Sequence, residues 1–152
     1  MKLEGNYKFE AAQDRVWAAF TSAECLQNAI PGCESMKEYE PGKYDAHLKI
    51  GIPAVKGSYS GKFEIVDAIP PNECRMVGEG SGTPGFVKCS TKLALKSEGS
   101  ATIVTYDANL EIGGLIAGVG QRMIGGISKM LLNQFFKRMS KELDGVQVPV
   151  ED

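Results

Sequence analysis

The sequence predicts an α+β fold in which an antiparallel sheet of six to seven strands curves around one long C-terminal helix. Three observations carry this expectation. From Ala101 to Ile112 polar and apolar residues alternate, which puts Thr102, Val104, Tyr106, Ala108, Leu110 and Ile112 on one strand face. From Met123 onward the spacing changes to three and four, so that Ile124, Ile127, Leu131 and Phe135 share one side of a helix. Before these, strand-like runs are separated by short turn signals, which argues for hairpins and against parallel crossovers. A terminal helix laid across such a sheet encloses either a packed core or a pocket for an apolar ligand.

Taken in order, Lys2 to Ala11 reads as a strand and Gln13 to Phe20 as a short helix with Val16, Trp17 and Phe20 on one side. A hydroxyl at Thr21 or Ser22 suits the cap of a second short helix, Glu24 to Ala29, because it satisfies an otherwise orphaned N–H. Ile30-Pro31-Gly32 ends that helix. Strands follow at Ser35 to Tyr39 and, beyond the turn Pro41-Gly42, at Lys43 to Gly51. In the latter, Tyr44, Ala46, Leu48 and Ile50 oppose Lys43, Asp45, His47 and Lys49, as in a half-buried antiparallel strand. Lys56 to Asp67 repeats the pattern with Tyr59, Gly61, Phe63 and Ile65 on one face, and its glycines at 57 and 61 mark a bend or a close approach.

Pro70-Pro71 breaks the chain, since two prolines remove two ladder donors and fix two φ angles. Glu73 to Gly80 and Phe86 to Ser97 are the next strands, joined through Ser81-Gly82-Thr83-Pro84, and Glu98-Gly99-Ser100 turns into Ala101 to Ile112. The last helix, Gln121 to Leu143, would be about 34 Å long at the usual helical rise. Lys129, Asn133, Lys137 and Lys141 recur along its polar face, with Met123, Met130, Phe136 and Met139 at the margins of the apolar one.

Composition narrows the function. The chain of 152 residues balances 17 Lys and Arg against 19 Asp and Glu, with the basic residues scattered, so nothing suggests binding to a phosphate backbone. Nucleic acid is excluded as a partner. No segment reaches the roughly 18 apolar residues of a spanning helix, and the N-terminus lacks the apolar stretch of a secretory signal. The chain reads as one soluble, cytoplasmic domain over 1–145, with a short acidic tail at 146–152. Cys25, Cys33, Cys74 and Cys89 are widely spaced, which suits reduced thiols; Cys89 alternates onto a strand face with Val87 and Leu93.

Motifs for chemistry are weak. Gly80-Ser81-Gly82-Thr83-Pro84-Gly85 has the G-x-G-x-x-G spacing, but a strand follows it rather than the helix a pyrophosphate site requires. A lone His47 and dispersed cysteines offer no zinc cluster, so neither metal nor cofactor is expected. Glu79, Asp107 and Glu111 alternate outward, and no histidine stands ready to activate a nucleophile. The apolar run Gly113 to Gly120 reads either as a flexible connection or as a lid at a cavity mouth. In the second reading Leu115, Ile116 and Val119 are exposed when it opens, and Arg122 serves a polar head group.

The order β-α-α-β6-α resembles the helix-grip fold of the START-like (SRPBCC) superfamily, which includes lipid-transfer domains, the Bet v 1-like birch-pollen allergens and polyketide cyclases. More narrowly, Ile30-Pro31-Gly32-Cys33-Glu34, the stretch from Ile50 to Gly61, and Gly113-Gly114 with Gly120-Gln121-Arg122 resemble CoxG, a family of carbon monoxide dehydrogenase subunits. The likeness runs from about Met1 to Leu143. It implies an accessory protein of molybdenum hydroxylases of the carbon monoxide dehydrogenase type, linked to membrane attachment of the enzyme and to its electron acceptor. A helix-grip cavity would then suit an isoprenoid quinone or another lipid. Some members carry a membrane-contacting C-terminal extension; here Val148 to Asp152 is short and acidic, which leaves transient docking through the Gly113 to Gly120 loop at the inner face of the membrane.

The expected ligand wall is Leu48, Tyr59, Phe63, Met76, Cys89, Tyr106, Leu110, Ile127, Met130 and Phe135. Tyr59, Tyr106 or Gln134 would bond its polar group, as suits a mostly apolar pocket with few polar fixtures. Two other readings stay open: a START-like cyclase or hydrolase, which needs titratable groups inside the cavity, and an assembly factor whose interior is filled by side chains.

Overall fold

In the structure, a computed structural model that describes residues 1–147, the first strand β1 (Lys2–Phe9) leads into helices α1 (Gln13–Phe20) and α2 (Ala23–Ala29). A meander follows: β2 (Cys33–Glu40), β3 (Lys43–Ile50), β4 (Gly57–Ile69), β5 (Glu73–Gly82), β6 (Gly85–Glu98) and β7 (Ala101–Gly113). Helix α3 (Gln121–Gln147) closes the fold, and short 3-10 helices lie at Pro53–Val55 and Leu115–Val119. The strands form one antiparallel sheet in the order β1-β7-β6-β5-β4-β3-β2. Because β1 pairs with β7, the α1–α2 connection must carry the chain from one edge of the sheet to the other. The α+β, START-like architecture expected from the sequence is the one observed. Val148 to Asp152, most of the expected tail, lie outside the described residues, and α3 takes in 146 and 147.

Local chemistry explains the boundaries. Ser22 caps α2, its Oγ accepting the Cys25 N–H at 3.2 Å. Gly42, at φ +77°, makes the β2–β3 turn, a conformation that costs glycine little. β1 stops at Phe9 rather than Ala11, because Ala11 is drawn inward and its carbonyl accepts the buried Thr102 hydroxyl at 2.7 Å. β4 runs on past Asp67 through an irregularity between Val66 and Ile69.

The core is polarised along α3. Its C-terminal half is clamped by aromatic rings: Tyr7 stacks on Phe136 at 4.9 Å, Phe9 meets Phe20 edge-on at 5.7 Å, and Phe20 meets Phe135 likewise at 5.7 Å. Each such pair adds about 0.5–1.5 kcal/mol beyond its burial. Phe136, Met139 and Leu143 are fully inside this cluster. The expectation that Phe136 and Met139 sit at the helix margins is therefore corrected. Helical rows drift around a long straight axis, so a second row, through Leu132, Phe136, Met139 and Leu143, takes over the contact toward the C-terminus. A smaller cluster of Val55, Ile116 and Ile124 closes the opposite end.

Tyr44, 1% exposed, donates to the Thr21 carbonyl at 2.9 Å and stacks on Phe63 at 4.6 Å. Burial, with the negative Glu38 nearby, pushes its phenol up to about 12. The unfolded chain ionises first, near pH 10. This contribution to stability is therefore complete below pH 10 and is lost as pH rises toward 12. Tyr44→Phe should cost about 1 kcal/mol at pH 8 through the lost hydrogen bond. Urea unfolding of the two proteins from pH 8 to 12 should show that difference narrowing steadily.

Candidate ligand cavity

Between the two clusters α3 stands off the sheet, and the gap is a cavity of about 550 Å³. Its size follows from side-chain volume. On β5 the inward positions Gly78 and Gly80 carry no side chain, and both lie on the wall. Opposite Gly80 on β4 stands Gly61, where an added Cβ would come within 2.6 Å of the Glu79 carbonyl oxygen. That is the close approach expected of this glycine. A Cβ at Gly80 would meet nothing nearer than 3.7 Å, so the volume above it is open.

Leu48, Tyr59, Phe63, Met76, Cys89, Tyr106, Leu110, Ile127 and Phe135, all named from the sequence, line the cavity. Inward alternation on the strands puts their residues there, and helical spacing puts Ile127 and Phe135 over them. Met130 and Gln134 do not line it. Both are exposed on α3, because at 3.6 residues per turn they fall on the side of the helix away from the Ile124, Leu131 and Phe135 row. Sequence reasoning missed Gly78, Gly80, Thr91 and Ser128. The alternation of Gly78, Gly80 and Gly82 with Glu79 and Ser81 is the signal that marks the missing floor.

The polar groups of the wall are few. The Tyr59 hydroxyl donates to the Val55 carbonyl at 2.6 Å, and burial raises its pKa, so it is spent on tying β4 to the preceding turn. The Thr91 hydroxyl lies 3.7 Å from the Cys89 thiol. Tyr106 and Ser128 have no hydrogen-bond partner for their hydroxyls among the described residues. Among the described residues no Asp, Glu, Lys, Arg or His lines the cavity. His47 is exposed and bonds Ser60 at 2.9 Å on the outer face. Glu79 and Glu111 are exposed, while Asp107 is half-buried and sits 3.7 Å from the Lys2 ammonium. Among the described residues no cluster of three or more His, Cys, Asp or Glu could hold a metal ion.

The end of the cavity nearest the start of α3 is bounded by the 3-10 helix at Leu115–Val119, the turn at Pro53–Val55 and the first turns of α3. Ile116 is buried and lines the cavity, with its N–H donating to the Pro84 carbonyl at 2.8 Å. Ile116 therefore faces the cavity rather than solvent. Leu115 is 77% exposed, Val119 is half-buried and Arg122 is exposed. Pro84 belongs to the Thr83-Pro84 hairpin turn between β5 and β6, so the glycine-rich segment there is a turn that braces the 3-10 helix.

The carbon monoxide dehydrogenase subunit family CoxG matches residues 5–144 of the chain. Among solved structures, a conserved protein from Geobacillus kaustophilus is 35% identical over 95% of this chain and 96% of its own, with a TM-score of 0.92. A START superfamily protein from Mycobacterium smegmatis is 10% identical over 95% of this chain and 98% of its own, with a TM-score of 0.76. A protein from Thermus thermophilus is 13% identical over 96% and 99%, with a TM-score of 0.72, and like the preceding one shows the fold alone. No curated protein matches the chain. No helix among the described residues is long and apolar enough to cross a membrane.

Leu131→Trp should fill the cavity and abolish uptake of an apolar fluorescent dye, whereas Met130→Trp, one residue along, should leave it unchanged. Dye titration with thermal melts to confirm folding checks the pair. Equal effects would contradict the placement of α3.

Proposed function

Since the chain belongs to the CoxG family of carbon monoxide dehydrogenase subunits, we propose that it carries a neutral, largely apolar molecule for a molybdenum hydroxylase of the carbon monoxide dehydrogenase type. The observation that supports this most is the wall of the cavity: mostly apolar, with two unpaired hydroxyls and, among the described residues, no charged side chain. A carboxylate or phosphate head inside would be unpaired in a low-dielectric site, at a cost of several kcal/mol. A carbonyl accepting from Tyr106 or Ser128 has no such cost. An isoprenoid quinone meets these requirements; so does an uncharged lipid with one oxygen function. In this role the protein couples the enzyme to an acceptor drawn from the membrane, working at its inner face through the Leu115–Val119 lid.

The other readings find less support. A cyclase or hydrolase needs an ionisable group among the wall residues, and the nearest candidates, Glu79 and Glu111, face water. An assembly factor with a filled interior has no use for the open volume above Gly80.

The test is to purify the protein from its native host, extract it with organic solvent and identify any stoichiometric lipophile by mass spectrometry. A quinone is the expected result. Protein that arrives empty and refuses added quinones would overturn the carrier reading. Tyr106→Phe and Ser128→Ala should each weaken quinone binding by roughly three- to tenfold, the value of one hydrogen bond, in a fluorescence-quenching titration.

A further inference from the structure

The outward face of α3 has a charge pattern that the cavity does not use. The chain as a whole is slightly acidic, at a net charge of -2, yet from Gln121 to Lys141 its charged residues are Arg122, Lys129, Lys137, Arg138 and Lys141, without one Asp or Glu. All of these side chains are exposed, and none makes an ion pair among the described residues. Met123 and Met130 stand among them, 55% and 41% exposed. The result is a basic strip about 28 Å long, studded with two flexible apolar side chains, on the helix whose other side roofs the cavity.

From this we infer that the outer face of α3 is a docking surface for an acidic protein surface. It rests on the proposed service to an enzyme and names the face that would meet it. Charge decides between occupants. A second copy of this chain would set like charges against each other along the whole strip, which costs rather than gives affinity. A membrane-surface helix needs a broad apolar face to sink below the headgroups. The apolar face of α3 is already turned onto the sheet, and two methionines do not replace it. A carboxylate-bearing protein surface satisfies both features: it pairs with the ammonium and guanidinium groups, and thioethers adapt to shallow apolar contacts. The strip is as long as one side of a standard interface. Arg122 and Met123 lie at its start, beside the lid, so a partner seated here would lie next to the mouth.

The test uses the full chain and purified carbon monoxide dehydrogenase from the same host, with binding followed by biolayer interferometry at low and high salt. Lys129→Glu/Lys137→Glu should weaken binding at least tenfold, and raising salt should weaken the wild type in the same direction. Lys92→Glu, an exposed charge on the outer face of the sheet, should change nothing. Binding insensitive to the double reversal would overturn the assignment of this face while leaving the carrier reading standing. Binding to phosphatidylglycerol vesicles that the reversal abolishes, with no binding to the enzyme, would overturn it in favour of the membrane. Lipophile content, measured separately on each variant, distinguishes loss of docking from loss of the carrier function.

Discussion

The aromatic clamp at the C-terminal half of α3 is the contact on which the rest of the structure depends. Tyr7 and Phe9 come from β1, Phe20 from α1, and Phe135 and Phe136 from α3, so three separated segments meet in one group of rings. The clamp fixes the height of the helix above the sheet at one end. From there the other half of the helix continues over the cavity. What stands beneath it then determines whether the space is filled. On β5 the inward residues shrink from Cys74 and Met76 to Gly78 and Gly80 as the strand runs toward the lid. A gradient of side-chain volume along one strand, beneath a helix clamped at one end, leaves room for a cavity.

The same gradient separates stability from binding. Rings and aliphatics at the clamped end can be packed to the density of an ordinary interior, where truncations such as Phe→Ala cost about 3–5 kcal/mol. The cavity end has few such contacts to lose. Its polar groups are divided in a comparable way: the Tyr59 hydroxyl holds the mouth turn through Val55, while those of Tyr106 and Ser128 hold nothing. Both face the cavity, where a hydroxyl can gain a hydrogen bond worth about 0.5–1.5 kcal/mol. A guest with one well-placed oxygen supplies that bond.

Much of this is legible in the sequence because a strand half-buried on a sheet must alternate. Tyr44, Ala46, Leu48 and Ile50, and the row from Thr102 to Ile112, fall on the inner face from period two alone. The order of elements and the resemblance of Ile50 to Gly61 and of Gly120-Gln121-Arg122 to one family carry the fold and the family. The helix is harder. A spacing of three or four is satisfied by more than one row, and nothing local says which row meets the sheet; that is decided by β1, α1 and α2, distant in sequence. Hence periodicity alone puts Phe136 and Met139 at the margin and turns Gln134 inward. Gly78 and Gly80 escape notice for the opposite reason, since a cavity is made by what is missing and hydrophobic patterns register only what is present.

The first turns of α3 are the part of the helix most able to yield. Gly125 and Gly126 follow each other inside a helix, where each costs about 1 kcal/mol relative to alanine. Some other glycines are demanded by their surroundings, as at Gly61. At 125 and 126 an added Cβ would meet nothing within 4 Å, so close packing does not require them. The helix is thus weakest where it roofs this end of the cavity, next to Gly120 at φ +97° and the 3-10 helix that carries Ile116. Local opening is drawn from the least stable part of a structure. In the proposed carrier that part is the Leu115–Val119 segment, which packs with Val55, Ile124 and their neighbours and donates a backbone bond from Ile116 to Pro84, while the clamp beyond Leu132 keeps the rest of the helix in place. A container that must exchange an apolar guest without unfolding needs this division: a rigid end that keeps the volume and a weak end that admits the guest.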